Sequence, residues 1–337
     1  MILVLGRGLP NEGVVRVEEA VRRAGADPKR LVAAGGELAL QALGLSRELA
    51  ATIAAIPGVA FVLEERPAYR RVARASSTSV TSVVMVRGVP IGGPSLVLMA
   101  GPCAVEHEAQ VEESARAAAM AGARLLRGGA FKPRTSPYSF QGLGDAGLAL
   151  LRASADRHNL AVVTEVLEPG AVAAVAEYAD MLQVGSRNMQ NSALLRAVGR
   201  QTRPVLLKRG MSATLEEWLL AAEYIADAGN ENIVLCERGV RTFDNASRNL
   251  LDLAAVPLLR ERTHLPIVVD PSHGVGVKAA ILPMALAAVA AGADGVMVEC
   301  HPDPGTARSD GFQALTPAEL IHLGERIRAV AAVVGRA

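Results

Sequence analysis

The sequence predicts a closed (β/α)₈ barrel preceded by a small ferredoxin-like α+β module. From about Ser95 onward, short β-branched runs alternate eight times with Ala- and Leu-rich stretches of helical spacing. Polar side chains unusual in strands gather at the C-terminal ends of those runs, which is where such a barrel places its chemistry. An open doubly wound sheet is the competing arrangement. The clustering of polar residues at one rim favours the barrel.

The elements follow in order along the chain. The first 69 residues read as β (2–5), helix (12–24), β (31–34), an unclear segment, helix (46–56) and β (59–63), a βαββαβ module. Its third strand belongs at 37–43, yet Glu-Leu-Ala-Leu-Gln-Ala-Leu leans helical by propensity. Residues 70–82, rich in Arg and Ser, read as a linker. The barrel domain spans 83–337, opening on a hairpin over 83–91 that turns at Arg87-Gly88 and closes the barrel bottom. Its strands are expected at 95–99, 123–126, 161–164, 181–184, 204–207, 232–235, 266–269 and 295–298. Thr214, Asn191 and Thr316-Pro317 are placed to cap the helices that follow them.

Composition excludes several function classes. Half of the 337 residues are hydrophobic and a fifth are charged, enough for a large core and too apolar for disorder. Lys and Arg number 35 against 34 Asp and Glu, and one Trp, four Tyr and five Phe leave few stacking platforms, so nucleic acid is not an expected partner. The longest apolar stretch, 279–293, contains Pro283 and is too short to span a membrane; no export signal opens the chain. Three cysteines in so large a chain point to a reducing cytoplasm.

Two groups of rim residues carry chemistry. Cys103 ends strand one, His273 ends strand seven, Glu299 ends strand eight, and Asp310 lies in the next loop. Strands seven, eight and one are neighbours in a closed barrel, so these side chains converge. Thiolate, imidazole and carboxylates suit a divalent transition ion such as Mn²⁺, Fe²⁺, Co²⁺ or Zn²⁺. The second group is cationic: Arg127, Lys132, Arg134, Arg187, Lys208 and Arg238, with Thr135 and Ser136 beside them. Six cations at the mouth of a chain of net charge +1 imply bound anions, and two anions account for them better than one. By position alone Lys208 also fits a Schiff-base lysine, a reading that its cationic neighbours weaken. Cys236 and Cys300 read as packing residues, Cys300 turned away from Glu299 by strand alternation, and His301 as a neighbour of the metal group.

The stretches Gly101-Pro-Cys103, Lys132-Pro-Arg-Thr-Ser-Pro137, Gly185-Ser-Arg-Asn-Met189, Leu207-Lys-Arg-Gly210, Cys236-Glu-Arg-Gly239, Asp270-Pro-Ser-His273 and Glu299 with Asp310 resemble, in order, 3-deoxy-D-arabino-heptulosonate 7-phosphate (DAHP) synthases of type Iβ. The resemblance runs from about Ser79 to the C-terminus. It implies condensation of phosphoenolpyruvate with erythrose 4-phosphate and water to give DAHP and phosphate, the first step of the shikimate pathway. Position by position, it makes Cys103, His273, Glu299 and Asp310 the metal ligands. Arg127 and Lys132 would hold the phosphoenolpyruvate carboxylate, and Arg187, Lys208 and Arg238 its phosphate. Arg134, Thr135 and Ser136 would take the sugar phosphate. Lys132 would protonate the new alkoxide, while Glu165, Asp270 and His273 are candidates to orient or deprotonate water. The N-terminal module resembles a regulatory domain, implying an aromatic amino acid effector, and the family implies a homo-oligomer, a tetramer by preference. A 3-deoxy-manno-octulosonate 8-phosphate synthase is the rival enzyme, and a non-catalytic aromatic amino acid sensor the rival of another class.

Overall fold

The computed structural model describes residues 1–32, 36–43, 45–63, 67–74 and 81–336. Of the expected segments, 33–34 of the second strand and 75–80 of the linker lie outside the described residues. The chain divides into two compact units, Met1–Ala68 and Tyr69–Ala337.

The first unit contains β1 (Ile2–Leu5), the helix Asn11–Arg23, β2 (Asp27–Val32), β3 (Leu38–Leu43), the helix Arg47–Ala54 and β4 (Val59–Leu63). Its strands form one antiparallel sheet in the order β2-β3-β1-β4, the ferredoxin-like arrangement. The helical leaning of residues 37–43 is corrected here: Leu38–Leu43 is an inner strand, paired with β1 on one side and β2 on the other. Two ladders of backbone hydrogen bonds and the full burial of Leu40 and Ala42 outweigh the modest helix preference of Ala and Leu. β2 also begins earlier than expected, at Asp27.

The second unit opens on a hairpin, β5 (Val84–Val86) and β6 (Val89–Ile91), turning at Arg87, whose φ of 47° is left-handed, and Gly88. Eight parallel strands follow: β7 (Val97–Gly101), β8 (Leu125–Arg127), β9 (Ala161–Glu165), β10 (Met181–Val184), β11 (Val205–Lys208), β12 (Ile233–Glu237), β13 (Ile267–Val269) and β14 (Gly295–Glu299). They close into a barrel in chain order, with β14 pairing back to β7. The segments between strands contain the covering helices, and two of these start on complete capping boxes, Thr214 with Glu217 and Thr316 with Glu319.

Strand alternation sorts the barrel's side chains into two cores. Leu98, Leu126, Val162, Leu182, Leu207, Leu235, Val269 and Val298 point outward and pack under the helices. Met99, Leu125, Val163, Met181, Leu206, Val234, Val268 and Met297 point inward and pack with the hairpin residues Val84, Val86, Val89 and Ile91, which plug the barrel's N-terminal end. The inward parity, continued to the C-terminal end, has a chemical consequence. Two residues beyond the interior layer it reaches Arg127, Glu165, Gln183, Lys208, Asp270 and Glu299, and four residues beyond it Arg238 and, after β7, Cys103.

Candidate active site

The four proposed metal donors meet at that rim. One ligand atom from each of Cys103, His273, Glu299 and Asp310 lies within 4.8 Å of all the others. His273 Nε2 is 3.0 Å from Glu299 Oε1 and 4.0 Å from Asp310 Oδ2, and Cys103 Sγ is 3.4 Å from Asp310 Oδ2. Neither Cys103 nor His273 ends its strand as expected, and β7 stops at Gly101. β13 stops at Val269, and His273 sits in the short helix Pro271–Val275 that Asp270 caps, Oδ1 accepting from the His273 amide at 3.0 Å. The helix arises because Pro at its first position presets φ and Asp satisfies its open N–H groups.

Asp270 has a second contact that aims the imidazole. Its Oδ2 accepts from His273 Nδ1 at 2.7 Å, which leaves Nε2 facing the cluster. Burial alone would push the Asp270 carboxyl up, but the charges of His273 and Lys208 hold it well below the usual carboxylate range. Glu299 behaves alike: burial opposes its charge, and His273 and Arg127 keep it well below its ordinary value. Burial would lower His273, whereas the Asp270 and Glu299 carboxylates lift it to about 10. The Asp270 and Glu299 carboxylates thus converge, ionised, on the two nitrogens of one imidazole.

Beside the cluster lies a cavity of about 300 Å³. All six sequence-predicted cations line it, together with Thr135, Ser136, Glu165, His273 and Asp310. Lys132 Nζ is 2.7 Å from the Cys103 carbonyl oxygen and 3.0 Å from its Sγ, so it stands between the cavity and the donor cluster. Arg127 Nη1 donates to the Pro102 carbonyl at 2.7 Å and to Glu299 Oε1 at 3.2 Å. Lys208 Nζ is paired with Asp270 Oδ2 at 2.5 Å. That buried contact occupies the Lys208 amine and counts against the Schiff-base reading. Among the described residues, Arg127 Nε, Arg134 Nη2 and Arg238 Nη1 are buried without a hydrogen-bond partner. Buried guanidinium N–H groups with no acceptor are costly unless an anion supplies one.

Four further residues stand in or beside the site, of which Gln183 and Arg248 line the cavity. Gln183 faces the cavity from β10 and donates to Glu165 Oε2 at 3.3 Å; the inward parity of Met-Leu-Gln-Val marks it. Arg248, Gln313 and Ser309 come from loops, where no periodicity exists to mark them. Ser309 Oγ is 3.2 Å from Cys103 Sγ. Gly185 leaves room for the Glu165 carboxylate, which a Cβ there would overlap. Arg209 points away from the mouth and is held by Glu237 and Asp252, each at 2.9 Å. Cys300 packs among the outer-core residues and Cys236 among the inner-core ones; all three cysteines are free.

The sequence profile of the DAHP synthetase I family matches residues 75–334. The chain belongs to the DAHP synthetase I family. As a member of this family it is an enzyme, a transferase that makes DAHP. One DAHP synthetase I relative, the phospho-2-dehydro-3-deoxyheptonate aldolase of Thermotoga maritima, is 52% identical over 69% of this chain and 69% of its own length. The crystal structure of a Thermotoga maritima DAHP synthase superposes with a TM-score of 0.79 at 41% identity, covering 99% of this chain and 98% of that one. A truncated form of the Thermotoga maritima enzyme gives 0.73 at 44% identity over 79% of this chain and 97% of that one. More distant is the 2-dehydro-3-deoxyphosphooctonate aldolase of Koribacter versatilis, 33% identical over 68% of this chain and 89% of its own.

Proposed function

We propose that the barrel mouth condenses phosphoenolpyruvate with erythrose 4-phosphate and water, releasing DAHP and phosphate. One observation carries the assignment of its parts. A four-donor cluster and a six-cation cavity share a rim, and three buried guanidinium N–H groups there await acceptors.

Cys103, His273, Glu299 and Asp310 fit a divalent ion such as Mn²⁺, Fe²⁺, Co²⁺ or Zn²⁺: one soft thiolate, one imidazole and two carboxylate oxygens at mutual distances that a single ion bridges. When bound, such an ion supplies Lewis acidity toward the aldehyde oxygen of the sugar. Arg127 and Lys132 hold the phosphoenolpyruvate carboxylate. Arg187, Lys208 and Arg238 hold its phosphate, and Arg134, Thr135 and Ser136 hold the phosphate of the sugar. These contacts bring C3 of phosphoenolpyruvate against the aldehyde carbon, where most of the entropic cost of a two-substrate reaction is met.

Bond formation between those carbons leaves an alkoxide and positive charge at C2. Lys132, within reach of both cavity and cluster, donates a proton to the alkoxide. Water adds at C2, and phosphate then departs by cleavage of its C–O bond to leave the ketone. Of the three groups considered for the water, Asp270 is occupied by Lys208 and His273, and His273 is itself a proposed ligand. Glu165 faces the cavity and, among the described residues, only Gln183 donates to its carboxylate, at 3.3 Å, which favours it as the base.

The first unit is a complete four-stranded module of the kind that binds small effectors, and an aromatic amino acid is the proposed one. No described helix is long and apolar enough to cross a membrane. Cytoplasmic residence and a homo-oligomer, a tetramer by family resemblance, complete the reading. Parallel assays with erythrose 4-phosphate and arabinose 5-phosphate test it: turnover of the four-carbon sugar is expected to dominate by at least about 100-fold, a scale set by polar recognition. Preference for the five-carbon sugar would favour the octulosonate activity instead.

A further inference from the structure

Two side chains next to the donor cluster have no part in the account so far. Gln313, fully buried, closes the 3₁₀ turn Gly311–Gln313, and Arg248 lies in the loop after β12 and lines the cavity. Gln313 Nε2 donates to Glu299 Oε2 at 2.6 Å, and Gln313 Oε1 accepts from Arg248 Nη1 at 3.0 Å. The same Nη1 is 3.4 Å from Asp310 Oδ1.

These contacts fall on one oxygen of each carboxylate. The other oxygen, Glu299 Oε1 or Asp310 Oδ2, is the one facing His273 Nε2. We propose that Gln313 and Arg248 act as a clamp, each holding the outer oxygen of one carboxylate so that both carboxylates present a single oxygen to the ion. The inference rests on the metal-site reading above.

Three observations support it. An amide has a donor end and an acceptor end, and only one orientation lets Gln313 satisfy a carboxylate and a guanidinium together. A Glu at 313 would set two carboxylates against each other. Arg248 is itself fixed, its amide donating to the Val275 carbonyl at 2.8 Å. Its side chain packs over Gly276, at φ +62°, where a Cβ would come within 2.5 Å of Arg248 Cβ. Asp310 sits at φ 52°, the left-handed region that Asp adopts more readily than most side chains, and this fixes the backbone that carries its carboxylate. A carboxylate already pinned by one oxygen loses less freedom when its other oxygen binds an ion, and groups that orient ligands typically contribute 10- to 100-fold in affinity.

The test uses the full-length protein stripped with chelator and titrated with Cd²⁺, read by the thiolate-to-metal absorption band that Cys103 would produce. Gln313→Met keeps the side-chain shape and removes both hydrogen bonds; Arg248→Met removes the guanidinium from a side chain that is 34% exposed. Each is expected to weaken Cd²⁺ binding by about 10- to 100-fold, while the metal-free protein keeps a single cooperative thermal transition. Should Gln313→Met not fold, Arg248→Met decides alone. A folded variant that binds Cd²⁺ within about twofold of the unmodified protein, well below the expected range, overturns that residue's place in the clamp. Absence of the band from the unmodified protein would overturn the metal-site reading and the clamp with it.

Discussion

Asp270 Oδ2 accepts hydrogen bonds from His273 Nδ1 at 2.7 Å and from Lys208 Nζ at 2.5 Å. One buried oxygen therefore ties the donor cluster to the cationic cavity. Asp270→Asn preserves the helix cap, because an amide oxygen also accepts from the His273 amide, but it removes the charge shared by the two partners. The expected outcome is a loss of about 10- to 100-fold in kcat with cooperative unfolding retained. Steady-state kinetics beside a thermal melt checks it.

Gly185 tests the place given to Glu165. An added Cβ at 185 would overlap the Glu165 carboxylate, which must then swing away from Gln183. A displacement near 1 Å at a reacting group costs on the order of 100-fold in rate. Gly185→Ala is expected to show that loss in kcat, with little change in KM for phosphoenolpyruvate.

The cysteines differ in their chemistry. Burial pushes the thiols of Cys236 and Cys300 up to about 12. At pH 8 their thiolate fraction is then about 10⁻⁴, and thiolate is the reactive form. Iodoacetamide applied to the folded protein at pH 8, followed by peptide mass mapping, is expected to leave both unmodified; modification appears only on unfolding.

Arg70–Arg74 fall within the segment from which a linker was expected, and Tyr69 at the end of the expected first module, yet they belong to the barrel unit. Val72 is 1% exposed, its carbonyl accepts from Thr263 Oγ1, and the Arg71 and Val72 amides donate to the Glu223 carboxylate. Removing residues 1–68 is expected to preserve condensation and to abolish any inhibition by an aromatic amino acid. Removing residues 1–75 deletes buried Val72 as well, at a cost of roughly 1.5–3 kcal/mol, or about 3–12 °C in Tm for a chain of this size. Comparing the melts of the two truncated proteins measures the difference.

Much of this site was legible because barrel strands obey a two-residue period. Arg127, Lys208 and Glu299 end their strands in the structure as the sequence pattern predicts. The parity that buries Leu125, Leu206 and Met297 also aims these three inward. Gln183 carries the same period-two signal, but a neutral amide at a strand end does not by itself imply a bound anion or ion. Arg248 and Gln313 gave no signal, since loop residues meet through backbone geometry that spacing does not encode. The helical look of Leu38–Leu43 misled for a different reason: Ala and Leu favour helices locally, and only pairing on both edges makes this segment a strand.

The central claim is that a divalent ion held by Cys103, His273, Glu299 and Asp310 is required for the condensation. Its most direct measurement is release of phosphate and DAHP from phosphoenolpyruvate and erythrose 4-phosphate by chelator-stripped protein, with and without added Mn²⁺. The account predicts negligible turnover without metal, recovery on its return, and no recovery in folded Cys103→Ala or His273→Ala. Full turnover in metal-free buffer, by the unmodified protein or by either variant, would contradict it.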